Sequence, residues 1–360
     1  MIEFFRRLAA GLVALTMTCG LAVADVNIQG GGSTFANPIQ QAWIKAYSAQ
    51  HPDVRIAYAA KGSGFGIASI IDKTIDFAGS DAPMNADELA KAKASGGDVV
   101  EIPICAGAVV ASYNLPGFNG DLKLTGDVLA NIYLGKVTQW NDPSIAAANP
   151  GATLPNLAIT PVHRSDGSGT TFVFTNYLCT QSSDFESQLG AGKNVKWPGG
   201  QGAEGNQGVT QVVQSTPGAI GYIELAYAAD NHIAFALMQN DDGKFIKATP
   251  DAVTAAGQAA LQEMTDPNDL TVPLWDQDGD TVYPIAAYTY VIIYKDLGYL
   301  KDQAKAQALL DYLYWSTSSD QASELVGAQT YSPLSAGVKV KVESLLDTLT
   351  FNGQPIHPSH

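Results

Sequence analysis

Basic residues are scarce in this chain: 20 Lys and Arg stand against 35 Asp and Glu in 360 residues, a formal net charge of -15. Binding a nucleic-acid polymer or an anionic membrane surface requires clustered cations to neutralise phosphates, and this chain has none to spare. Nucleic acid is therefore excluded as a partner. Histidine is also sparse, with His51, His163, His232, His357 and His360 scattered along the chain. No HExxH or similar cluster suggests a catalytic metal. After the N-terminal segment no stretch reaches about 18 uninterrupted apolar residues, so a later membrane anchor is not expected. No fixed-period repeat or low-complexity tract points to a solenoid. The charge still permits one small anion, because a few oriented donors in a local site can outweigh a screened global field.

The chain does have enough apolar residues, 46%, to build cores despite 35 glycines and 18 prolines. Its length suggests about two domains. Residues 1–24 read as a secretory signal peptide. Arg6 and Arg7 precede a short apolar run, and Ala22 and Ala24 form an A-x-A cleavage site before Asp25. Thr16, Met17 and Thr18 precede Cys19, where lipid attachment would need a small residue next to the cysteine. Removing Glu3, Arg6 and Arg7 with the leader leaves 18 basic and 34 acidic residues, a net charge of -16. The acidity belongs to the exported protein. Cys105 and Cys179 then remain, and in an oxidising compartment they could pair. We read them as free thiols, because spacing alone does not establish proximity.

Short apolar runs alternate with helical patterns along the mature chain, which argues for an α/β fold with helices on sheet faces. Strands are expected at VNIQGGG, VRIAYAAKG, IDFAGSD, VVEIPI, AGAVVASYN, AITPVHRSD, AIGYIEL and YTYVIIY. Helices are expected at ANPIQQAWIKAYSAQ, SGFGIASIID, TGDVLANIYLG, GTTFVFTNYLCT, QGVTQVVQST and KDQAKAQALLDYLYWST. KWPGGQGAEGNQG and DPNDLTVPLWDQDGDTVYP read as surface connections. Asp276, Asp278 and Asp280 have EF-hand spacing, but Thr281 stands where the loop needs Gly and Ala287 where it needs an acidic residue. No metal is expected.

HRSDGSGTTFVF, from His163 to Phe174, carries the strongest chemical signal. A strand meets a Gly-rich turn and a helix, so Ser168, Gly169 and Thr170 fall where free backbone N–H groups and the helix dipole attract anions. Arg164 adds a planar guanidinium suited to tetrahedral oxyanions, and Asp166 is close enough in sequence to orient it. The same residues also describe an ordinary helix cap with a surface Arg–Asp pair. Three more segments have this form. GGGSTFANP places Ser33, Thr34 and the Phe35 amide at one helix start, AKGSGFG places Ser63 at another, and IDFAGSDAP ends a strand at Ser80 and Asp81. Each alone is a common cap or turn; together with Arg164 they describe a dehydrated cage for an anion. Asp81 would repel a fully deprotonated ligand but accept a hydrogen bond from one that keeps a proton. Phosphate near neutral pH keeps one and sulfate does not, so the carboxylate would select against sulfate.

These segments, with ANIYLGKVTQWNDPSIAAANPG, WPGGQGAEGNQGV and TPGAIGYIELAYA, resemble the periplasmic phosphate-binding protein of the ATP-driven high-affinity phosphate uptake system. The resemblance covers nearly all of the mature chain in family order. It implies a two-lobed periplasmic-binding-protein fold, each lobe a mixed central sheet flanked by helices, joined by extended hinge strands. Lobe I would comprise 25–104 and 286–360, and lobe II 105–285. Phosphate contacts implied by the resemblance are Thr34, Phe35, Ser63, Asp81, Arg164, Ser168, Gly169 and Thr170, with Asp166 orienting Arg164. His163 departs from the family, which commonly has a second basic residue there. The acidic loop after residue 265 is longer than the family suggests.

The expected protein is an exported, periplasmic monomer without a cofactor. It would capture inorganic phosphate and deliver it to an ABC-type permease. Two alternatives remain open from the residues: a secreted phosphatase using Ser168 or Thr170, although no G-x-S-x-G elbow surrounds either, and a binding protein for another oxyanion.

Overall fold

The computed structural model describes residues 26–359. The expected leader at 1–24, with Cys19 and the cleavage point before Asp25, lies outside the described residues. The main sheet contains β1 (Val26–Gly32), β2 (Val54–Ala60), β3 (Phe77–Ser80), β4 (Val99–Tyr113), β5 (Thr160–Arg164), β6 (Gln201–Ala203), β7 (Ala219–Glu224), β8 (Leu274–Trp275) and β9 (Ile285–Tyr294). Their lateral order is β2-β1-β3-β9-β4-β7-β5-β6, with β8 paired to β9. The first three strands run parallel, and β5 runs parallel to both β6 and β7. Helices return between parallel strands, as such a topology requires. These are α1 (Asn37–Gln50), α2 (Ser63–Ile71), α4 (Gly169–Gln181) and α5 (Gly205–Ser215), while α3 (Ala86–Gly96) leads into β4.

Strand β4 joins the two halves. Its Val99–Ala108 stretch pairs antiparallel with β9, and Val109–Tyr113 pairs antiparallel with β7. The sequence reading divided this stretch into two strands around Cys105; it is one strand of 15 residues. Cys105 is small, apolar and fully buried, so nothing there interrupts the ladder. Pro103, which lacks a donor, sits opposite Tyr290 beside a register shift at Thr289/Tyr290. Prolines are tolerated at such irregularities.

Aromatic side chains fix helices to both halves. Tyr47 of α1 meets Tyr312 of α6 (Gln303–Ser318) edge-on at 5.2 Å, and Phe174 of α4 stacks on Tyr222 of β7 at 4.3 Å. Tyr312, Phe174 and Tyr222 are fully buried, and side chains of this kind contribute about 1.5–3 kcal/mol each.

The two expected surface loops contribute to the sheet. Gln201–Ala203 pairs parallel with β5, and Gly205 opens α5. Leu274–Trp275 pairs with Ile285–Ala286, and Trp275 meets Phe172 of α4 edge-on. Glycine and acidic composition concealed both pairings, which need only two or three residues. Helix α3 was missed because it has few apolar positions. Its capping box, Asn85 with Glu88, was a readable signal. Cys105 and Cys179 are free thiols, both pushed towards the protonated form by burial. Among the described residues no helix is long and apolar enough to cross a membrane.

Candidate anion-binding site

Four strand ends and helix starts converge between the halves of the sheet. After β1 the chain turns through Ser33, Thr34 and Phe35 into α1, and Ser33 Oγ accepts the Ala36 N–H at 3.0 Å. Gly62, with φ +92°, precedes Ser63 at the start of α2. A Cβ at Gly62 would lie 2.3 Å from Asp166 Oδ2, so glycine is required there. Ser168 caps α4, its Oγ accepting the Thr171 N–H at 3.0 Å. Asp81 follows the end of β3. Arg164 ends β5.

All the residues singled out in the sequence come together. Thr34, Phe35, Ser63, Asp81, Arg164, Ser168, Gly169 and Thr170 are all buried. A Cβ at Gly169 would be 2.4 Å from Ser63 Oγ and 2.6 Å from Asp81 Oδ2, so the α4 start lies directly against α2 and Asp81. Across the same seam the Gly64 N–H donates to the Gly167 carbonyl at 2.9 Å. The Phe35 ring lies in the core against Tyr331, and its carbonyl accepts the Tyr331 hydroxyl, leaving the backbone amide as the group that residue offers.

Arg164 is held by Asp166. Its Nε donates to Asp166 Oδ1 at 2.7 Å and its Nη2 to Asp166 Oδ2 at 2.5 Å, while Nη1 reaches Thr170 Oγ1 at 3.4 Å. Burial alone would raise the Asp166 carboxyl; the Arg164 bonds and charge and the Gly205 N–H outweigh it and hold the group below its usual range. One guanidinium is thus neutralised by one carboxylate, so the attraction this site can offer an anion rests mainly on short-range donors.

Asp81 is 2% exposed. Its Oδ1 accepts Ser33 Oγ at 2.5 Å and Thr289 Oγ1 at 2.8 Å, and its Oδ2 is 3.4 Å from Ser63 Oγ. Burial pushes its pKa up to about 6, opposed by the Ser33 and Thr289 bonds, the Arg164 charge and Ser63.

Sequence reasoning missed several members of this cluster. Asn206 donates from its backbone to Thr34 Oγ1 at 3.1 Å and from its side chain to Thr34 Oγ1 at 2.9 Å and Thr170 Oγ1 at 3.1 Å. Tyr227 donates to the Thr34 carbonyl at 2.6 Å. Lys193 and Glu88 form a largely buried ion pair at 2.6 Å, joining the segment after α4 to α3. Asn206 lay in a Gly-rich stretch read as a loop, and Thr289 was one hydroxyl in an apolar strand. Neither type nor spacing marked them.

The arrangement can surround a small tetrahedral anion with backbone N–H groups, hydroxyls and one guanidinium, and it offers a single acceptor, Asp81, to a ligand that carries a proton. It is less suited to nucleophilic chemistry. The Ser168 oxygen is occupied by its cap, and the His163 ring stacks on Trp197 at 5.5 Å.

The PBP superfamily domain matches residues 21–320. The chain is 39% identical over 336 residues to the phosphate-binding protein PstS of Pasteurella multocida, covering 92% of this chain and 93% of that protein. It is 39% identical over 323 residues to the phosphate-binding protein PstS of Xylella fastidiosa strain 9a5c, covering 89% and 85%. A solved phosphate-binding protein from Stenotrophomonas maltophilia superposes with a TM-score of 0.66 at 20% identity, covering 88% of this chain and 92% of that one, a likeness that speaks for the shared two-lobed fold.

Proposed function

We infer from the family to which this chain belongs, the PstS phosphate-binding proteins of the PBP superfamily, that it captures inorganic phosphate between its lobes and delivers it to an ABC-type phosphate permease. The observation that carries the reading to particular atoms is the burial of Asp81 among donors at three helix starts. Thr34, the Phe35 amide, Ser63, Arg164, Ser168, Gly169 and Thr170 would donate to phosphate oxygens. Asp81 Oδ2 would accept the ligand's own proton. Hydrogen bonds involving a charged group contribute about 1.5–3 kcal/mol each, and several together offset dehydration of the anion. Sulfate brings no proton and would face an unpaired buried carboxylate.

Lobe I would comprise 25–104 with 286–360 and lobe II 105–285, with β4 and the start of β9 as the connections that flex. Closure would form the Asn206–Thr34, Gly64–Gly167 and Lys193–Glu88 contacts, in the manner of hinge-bending binding proteins. The leader-like N-terminus supports export to the periplasm. The protein would act there as a monomer, without a cofactor and without turnover.

Calorimetric titration with phosphate, arsenate and sulfate tests the ligand, and incubation with a chromogenic phosphomonoester tests the phosphatase alternative. Phosphate should bind one to one and the ester should remain intact. Metal-independent turnover abolished by Ser168→Ala would instead make the chain an enzyme.

A further inference from the structure

The β9 strand, IAAYTYVIIY, is buried along its whole length, and Thr289 is its one hydroxyl-bearing aliphatic residue. Its register on β4 shifts between Thr289 and Tyr290, and such irregularities re-aim a side chain. On the other side β9 pairs with β3 through Tyr290 and Ser80, so one further antiparallel step brings Thr289 opposite Asp81. The Thr289 hydroxyl donates to Asp81 Oδ1 at 2.8 Å, and Ser33 donates to the same oxygen. Ser33 Oγ also accepts the Ala36 N–H, so its hydroxyl has a second task, whereas the Thr289 hydroxyl bonds the carboxylate.

We propose that Thr289 is a positioning residue for anion selection: with Ser33 it saturates Asp81 Oδ1, fixes the carboxyl plane, and leaves Oδ2 as the oxygen turned to the start of α4 where the ligand's proton arrives. The inference rests on the phosphate reading above. A second consequence follows from donation. Thr289 stabilises the ionised carboxyl, the form that accepts from phosphate and repels sulfate. A protonated Asp81 could itself donate, and sulfate would then be admitted. The other ionisable groups around Asp81 are Arg164, Glu224, Cys105, Tyr58 and Tyr227. Burial drives Glu224, Cys105, Tyr58 and Tyr227 towards their neutral forms.

Sulfate does not titrate in the neutral and mildly acidic range, so its affinity against pH reports on the protein. In the wild type, sulfate binding should strengthen as pH falls through the Asp81 midpoint. Thr289→Val, which keeps the shape and removes the donor, should move that rise upwards by about one pH unit, giving sulfate binding about tenfold tighter at a fixed pH on the flank. Thr289→Ser should restore the wild-type profile. If Thr289→Val does not fold, Thr289→Cys, with a weaker donor, should show the same displacement. Profiles that coincide for the wild type, the donor-weakened variant and Thr289→Ser would overturn the inference, as would a midpoint that moves with Glu224→Gln in place of Thr289. A wild type that binds no phosphate at any pH would overturn the phosphate reading itself, a separate and recognisable failure.

Discussion

Asn206 and Thr34, 172 residues apart, are joined twice, by the Asn206 backbone and side-chain amides to the one Thr34 hydroxyl. The same side chain reaches Thr170, and its carbonyl oxygen accepts the Glu224 N–H at 2.9 Å. Asn206 therefore ties the α1, α4 and α5 starts to the end of β7. Its amide uses both donors and its acceptor without touching solvent.

Asn206→Ala should weaken phosphate binding by about 10- to 100-fold, since an unpaired buried polar group costs about 1–3 kcal/mol. The check is titration calorimetry beside thermal unfolding. The phosphate-induced rise in Tm should shrink more than the Tm of the free protein falls.

Arg164→Ala should cost more, about 100-fold or beyond, because it leaves Asp166 and the incoming anion facing each other in a buried site. Arg164→Lys should recover only part of the loss, since a single ammonium cannot make the paired contact with Asp166. Ranking the three affinities by calorimetry tests whether geometry matters as well as charge.

Gly169→Ala is a wedge. The added methyl would meet Ser63 Oγ at 2.4 Å and Asp81 Oδ2 at 2.6 Å, distances that the packing of the α4 start against α2 and Asp81 cannot hold. Phosphate affinity should collapse while the melting temperature stays within a few degrees of the wild type. X-ray scattering with saturating phosphate should give a larger radius of gyration for the variant than for the wild type.

Glu224 supplies the pH prediction for stability. Burial is the main cause holding its carboxyl well above the usual range, opposed by the Ala226 N–H and Tyr331; the Asp81 charge adds to the rise. A raised folded-state pKa means that the folded form retains the proton longer. The stability contribution is therefore present below the unfolded carboxyl range and is lost as pH rises towards the folded value. Glu224→Gln removes that titration. Its Tm relative to the wild type should climb steadily from pH 5 to pH 8, and a flat difference would contradict the assignment.

The parts of the site readable in the sequence were those in which one short segment contains both a turn and a donor. HRSDGSGTT and AKGSGFG contain their own glycines, caps and hydroxyls, so Arg164, Ser168 and Ser63 were visible before any packing was known. Asn206 and Thr289 gain their roles only when distant strands align. The pairing of Leu274–Trp275 was hidden for a related reason: two residues show no periodicity, and the partner strand alone supplies their register. The continuity of β4 was obscured because a strand buried on both faces lacks the polar alternation that marks strand limits.

The most direct test of phosphate capture by short-range donors is calorimetric titration of phosphate at pH 8 in a large excess of sulfate, at low and high ionic strength. One phosphate per chain, little competition from sulfate, and an affinity that changes only weakly with salt are expected, because the donors act at short range and Asp166 balances Arg164. Equal competition by sulfate, or a steep loss of affinity with added salt, would contradict it.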